Sequence, residues 1–135
     1  MRIFLTAWFE RFARQHGIED SALYDAISRA NEGLIDADLG GGVIKQRIAR
    51  RNEGRSRGFR SIILFRRDDR AVFVYGFAKS DRRNLRLDEL EVYRSFADEV
   101  LGYEEADLAK VVGTSKWKEL DHGKDVPERG PRGNP

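Results

Sequence analysis

Between Val43 and Lys79 the chain has room for three extended segments and almost none for what joins them. Val43–Arg51 runs into Asn52-Glu53-Gly54-Arg55-Ser56, and Arg57–Arg66, with the apolar run Ile62–Phe65, runs into Asp68-Asp69. Ala71–Lys79 then carries Val72, Phe73, Val74, Tyr75 and Phe77. Parallel neighbours need a crossover of a dozen or more residues, whereas antiparallel strands close through a short turn. These connections therefore predict a three-stranded antiparallel meander at the centre of the chain. Whatever surrounds it must pack on that sheet.

The flanks read mainly as helices. Arg2–Leu5 is a short apolar segment that suits a strand. Thr6 can cap the next element, where Trp8, Phe9, Phe12 and Ala13 recur at helical spacing until Gly17. Asp20 or Ser21 opens a second helix with Leu23, Ala26, Ile27 and Ala30 as its buried stripe, and Gly40-Gly41-Gly42 releases the chain into strand. Asp88 and Glu91 have capping-box spacing. They start a helix that buries Leu90, Tyr93, Ala97 and Val100 and stops at Gly102. A short helix with Leu108, Val111 and Val112 follows, and Trp117 and Leu120 fold back as a last anchor. The expected fold class is α+β, with two N-terminal helices packed on a small, mostly antiparallel sheet and a C-terminal acidic helix. Residues 1–120 form one domain. Residues 121–135 hold all three prolines and no apolar period, so a disordered tail is expected there.

Charge is distributed unevenly. Residues 44–70 hold ten Lys/Arg against three Asp/Glu, a local +7 in a chain whose net charge is +2. Residues 88–107 hold one basic residue, Arg94, and eight acidic ones, a local −7. Basic residues at this density imply a polyanionic partner, most commonly a phosphate backbone. The acidic flank reads first as a solvated helix face. Zero cysteines exclude disulfides and thiolate chemistry. Apolar runs reach about five residues, far from the ~20 of a membrane helix, and charges interrupt any signal-peptide pattern. A cytoplasmic protein with no membrane association is the expectation.

Little chemistry besides arginine and lysine is on offer. His16 beside Gly17 suits a helix C-terminus, His122 lies in the tail, and neither has a companion. Asp68-Asp69 reads as turn chemistry, and no metal site or cofactor is expected. Side chains two apart on a strand share a face, which places Lys45 with Arg47. Arg60 starts the neighbouring strand after the turn bearing Arg55 and Arg57, and Lys79 ends the third strand. Four or five cations can thus converge on one side of the sheet. Such a set suits RNA cleavage by attack of a 2′-hydroxyl on the adjacent phosphate, because guanidinium groups stabilise the charge gathering on the phosphorus oxygens. A lysine crowded by cations loses basicity and can accept a proton. On these residues alone, plain phosphate-backbone binding stands ahead of catalysis.

The strings GRSRGFRSIILF and VFVYGFAKSDRRNLRLDELEVYRSFADEVL, within residues 43–112, resemble the RelE-type branch of the RelE/ParE toxins of toxin–antitoxin systems. The resemblance implies a RelE-like fold and an endoribonuclease that cleaves mRNA in the ribosomal A site without a metal, inhibiting translation. On this resemblance Lys45 and Arg47 match a Lys-x-Lys pair whose first member is the proposed base. Arg60 matches the phosphate-stabilising arginine, and Lys79 the basic end of the last strand. Arg50, Arg51, Arg55, Arg57, Arg82 and Arg83 would contact RNA. Ser80 stands where a second arginine is common, a charge that Arg82 or Arg83 can supply, and Leu85-Arg86 occupy the place of a stacking tyrosine. Tyr93 and Tyr103 are stacking candidates, against the packing role usual for helix positions. The partners implied are the ribosome, mRNA and a cognate antitoxin, typically a helix-turn-helix DNA-binding protein, in a toxin–antitoxin hetero-oligomer. The alternatives are a ParE-like inhibitor of DNA gyrase on the same fold and a noncatalytic RNA- or ribosome-binding module.

Overall fold

The computed structural model describes residues 1–50, 54–78 and 85–120, with the backbone alone at 50 and 54–57. Ten elements follow in order: β1 Arg2–Thr6, α1 Ala7–Gln15, α2 Asp20–Asn31, β2 Ala37–Gly40, β3 Val43–Arg50, β4 Gly54–Arg66, β5 Arg70–Ala78, α3 Leu87–Val100, α4 Glu105–Gly113 and β6 Trp117–Glu119. The expected tail, residues 121–135, lies outside the described residues.

The meander is present as β3-β4-β5, and the sheet extends it on both sides in the order β2-β3-β4-β5-β1-β6. Each neighbouring pair is antiparallel except β1 and β5, which run parallel. The α+β expectation is met. Strand β2 was missed, because ADLG is short and ends in glycine. The three glycines after Leu39 do not lead out of a helix; they close the β2–β3 hairpin with φ of 84°, 62° and 84°, where a side chain would be strained. Trp117 and Leu120 do fold back, since β6 pairs with β1 and the Leu120 N–H donates to Ile3 O at 2.9 Å.

Helices cover both faces. Phe9, Phe12 and Ala13 of α1 and Leu23, Ala26, Ile27 and Ala30 of α2 pack with Ile44, Ile48, Phe59, Ile63, Phe65 and Phe73 on one side. Ala97 and Val100 of α3 and Leu108 of α4 pack with Phe4, Val43, Ile62, Leu64, Val72 and Trp117 on the other. Thr6 caps α1 as expected, its Oγ1 accepting the Phe9 N–H at 3.3 Å. The start of α3 differs from expectation. Arg86 is the N-cap, and the Glu89 carboxylate accepts its N–H at 3.0 Å, so the reciprocal acid sits two residues earlier than the Asp88/Glu91 spacing suggested. The last turn of α3 has no basic residue of its own. Arg70 supplies one from β5, its Nη1 donating to Val100 O at 3.2 Å and Tyr103 O at 2.8 Å.

Candidate functional site: a cationic face beside a bulged strand

The pairing of β3 with β4 sets Arg47 directly across from Arg60 and Lys45 across from Ile62. The pairing of β4 with β5 sets Arg60 across from Phe77 and Ile62 across from Tyr75. Directly opposed residues share a face, so two rows lie side by side: Arg47-Arg60-Phe77 and Lys45-Ile62-Tyr75. They belong to the face that α3 covers further along. Arg47 is exposed, and Lys45 and Arg60 are half-buried.

A bulge builds the second half of this arrangement. Ile62 pairs with Tyr75, but Ile63 pairs with Phe73, leaving Val74 as an extra residue on β5. Strict alternation would put Tyr75 and Phe77 on the face of Phe73, beneath α1. The extra residue reverses the parity, as bulges do. Phe73 stays in the α1/α2 core, while Tyr75 and Phe77 pack with the α3 side.

The electrostatics are unbalanced. Burial and the neighbouring Arg47 charge push the Arg60 guanidinium below its usual value, with Asp36 opposing them. Arg60 Nη1 is buried and meets no hydrogen-bond partner among the described residues. Asp36 also holds the Arg47 backbone, its Oδ2 accepting the Arg47 N–H at 2.7 Å. Arg29 of α2 donates through Nη2 to Arg47 O at 2.6 Å. Beneath them Gln46 is fully buried. Its Oε1 accepts the Asp36 N–H at 2.6 Å, and its Nε2 donates to Ala26 O at 3.0 Å and Leu34 O at 3.3 Å. One strand residue thus ties α2, the approach to β2 and the cationic strand together.

Of the residues singled out by sequence, Lys45, Arg47 and Arg60 come together. Arg50, Arg55 and Arg57 lie on described backbone whose side chains are not described, while Arg51, Lys79, Arg82 and Arg83 fall outside the described residues. His16 is the exposed C-cap of α1, its ring 4.6 Å from Phe12 and 5.0 Å from Phe59. Tyr93 and Tyr103 are packing residues: Tyr93 is half-buried against the α3-side core, and Tyr103 lies 5.9 Å from Trp117 with its hydroxyl donating to Glu99 Oε2 at 2.9 Å. Sequence reasoning missed Asp36 and Gln46, which carry no motif. It also grouped Trp8 with Phe9, Phe12 and Ala13 by helical spacing, whereas Trp8 alone of the four is exposed, at 40%. Among the described residues no cluster of three or more His, Cys, Asp or Glu could hold a metal, and no helix is long and apolar enough to cross a membrane.

A search of curated proteins finds no match. The family model described as the RelE toxin of the RelE/RelB toxin–antitoxin system matches residues 1–120, nearly the whole chain and all of the sheet. A six-stranded, mostly antiparallel sheet between helices, with Arg47 and Arg60 paired across two of its strands, fits that match, and the chain belongs to the RelE toxin family, whose members are paired with an antitoxin.

Proposed function

We propose that this chain is an endoribonuclease that cleaves translated mRNA by attack of a 2′-hydroxyl on the adjacent phosphate, without a metal. The observation that carries the reading is Arg60. A folded chain rarely keeps a buried guanidinium nitrogen unpaired, because the lost hydrogen bond costs roughly 1–3 kcal/mol. Like charges directly opposite on a sheet add roughly 0.2–1 kcal/mol. Arg60 bears both costs, with Nη1 unpaired among the described residues and Arg47 across from it. An anion lodged between the two guanidinium groups would relieve both, and a phosphate offers the bidentate geometry that arginine matches.

In the reaction the 2′-oxygen forms its bond to phosphorus as the 5′-oxygen departs, leaving a 2′,3′-cyclic phosphate. Negative charge gathers on the non-bridging oxygens, where Arg60 and Arg47 donate more strongly than to the ground state. Lys45 is the candidate to take the 2′-proton, and the departing 5′-oxygen takes up a proton in its place. Lys79, the residue after β5, joins this group in the proposal. Arg50, Arg51, Arg55, Arg57, Arg82 and Arg83 hold the surrounding backbone. The ribosome presents the message, and a helix-turn-helix antitoxin covers the cationic face in the cytoplasm.

Brief expression of the chain with mapping of mRNA 5′ ends, beside Arg60→Ala, tests this. New ends within translated messages, absent with Arg60→Ala, are the expected result. Growth arrest with altered plasmid supercoiling and no new ends would overturn the proposal in favour of a gyrase inhibitor. RNA binding without cleavage would overturn it in favour of a binding module.

A further inference from the structure

A line of aromatic rings continues outward from the paired arginines. Phe77 lies directly across from Arg60, its ring 6.1 Å from that of Tyr75. Trp8, at the start of α1, stacks on Tyr75 at 4.7 Å and 27°. It also stacks on Phe12, one turn along, at 5.4 Å and 13°. Neither core requires Trp8: the buried stripe of α1 is Phe9, Phe12 and Ala13, and Trp8 remains 40% exposed. A single exposed apolar side chain is ordinary. One that ends a row of rings beginning at a guanidinium is a different matter.

Two local devices produce the row. The Val74 bulge turns Tyr75 and Phe77 onto the cationic face. Gly76 lets α1 approach, since a Cβ there would stand 2.5 Å from Phe12 Cε2. With Phe12 seated against that bare backbone, Trp8 comes to rest on Tyr75 beyond the end of β1. Cations along a backbone track beside sequence-tolerant stacking surfaces are what single-stranded nucleic acid requires. A duplex keeps its bases stacked on one another and offers none to a ring.

We infer that Trp8, with Tyr75 and Phe77, forms a stacking shelf for unpaired bases of the RNA whose phosphate Arg60 holds. This rests on reading the cationic face as a phosphate site. It adds a base-contacting surface on α1 and β5, beside the two strands that bear the arginines.

The test is binding of the full chain to a fluorescent, unstructured 2′-O-methyl oligoribonucleotide, which has no attacking hydroxyl, so cleavage does not enter. Trp8→Ala should weaken binding roughly 5- to 100-fold, while Trp8→Phe keeps most of the affinity. An abasic oligonucleotide of the same length should bind Trp8→Ala and the parent chain equally. Binding should also quench a tryptophan emission that Trp8→Phe removes, the other tryptophan, Trp117, being buried. Unchanged thermal melting of Trp8→Ala confirms that an intact fold is compared. Parent-like binding by Trp8→Ala, or an equal loss on the abasic chain, overturns the shelf. If Arg60→Ala weakens binding and Trp8→Ala does not, the shelf alone fails. If neither does, the phosphate reading fails with it. Loss of antitoxin capture with RNA binding intact would make Trp8 a protein-docking residue and overturn the inference.

Discussion

Replacing Arg60 with methionine should make the protein more stable and leave it inactive. Methionine keeps an unbranched apolar stem along the sheet and removes the guanidinium. The parent carries a buried Nη1 with no partner among the described residues and a like charge directly across the strand pair. The unpaired nitrogen costs roughly 1–3 kcal/mol. The low end applies, because the rest of the side chain is only half-buried. Repulsion from Arg47 adds roughly 0.2–1 kcal/mol, and losing the attraction of Asp36, the smaller of the two charge effects, offsets part of that. The net expectation is a gain of about 1–2 kcal/mol. Urea unfolding followed by circular dichroism should show a higher midpoint at unchanged slope, with a melting temperature up by roughly 3–8 °C. The gain should shrink in high salt, which screens the Arg47 contribution but not the unpaired hydrogen bond. New mRNA 5′ ends should vanish in the same variant. A lower unfolding midpoint for Arg60→Met would refute the reasoning, since Arg60 would then hold the fold together.

Other substitutions test the supports of the site. Gln46→Leu preserves volume but strips the Asp36 N–H of its acceptor and the Ala26 carbonyl of a buried hydrogen bond; a fall of about 2–3 kcal/mol in urea unfolding is expected, and a change under 0.5 kcal/mol would contradict it. Gly76→Ala should cost roughly 1–3 kcal/mol through its clash with Phe12. Gly113→Ala, which meets no atom within 4 Å, should instead gain roughly 0.5–1 kcal/mol by thermal melting. The hydrogen bond to Glu99 pushes the pKa of Tyr103 up, and burial pushes that of Tyr93 up, with Tyr75 and Glu89 contributing. The fold therefore favours both protonated phenols. Their stabilisation is present below about pH 10 and is lost as pH rises through the raised folded values. Tyr103→Phe should flatten that alkaline loss in melts taken across the range, and an unchanged slope would count against it.

Much of this protein follows from local chemistry. The short connections around Asn52 and Asp68 leave antiparallel pairing as the available choice, and strand parity alone groups Lys45 with Arg47. Thr6, Gly17 and the apolar stripe of α2 mark helices whose ends and buried faces are set within a turn or two. The local surplus of arginine is what makes a polyanionic partner the expectation.

What the line of residues did not contain is everything that depends on distant segments meeting. Trp8 has the spacing of a core residue, and only the course of α1 past the end of β1 leaves it exposed on Tyr75. Asp36 and Gln46 look unremarkable in sequence; packing of α2 against β3 makes them the brace of Arg47. The Val74 bulge reverses which face Tyr75 and Phe77 serve, and no alternation rule anticipates it, because an extra residue is defined only against the strand it pairs with. Composition and period thus decided the meander and its charge. Tertiary pairing decided that Arg60 would lie half-buried beside its like, with Nη1 short of a partner among the described residues and rings alongside, because register and burial are properties of two chain segments together.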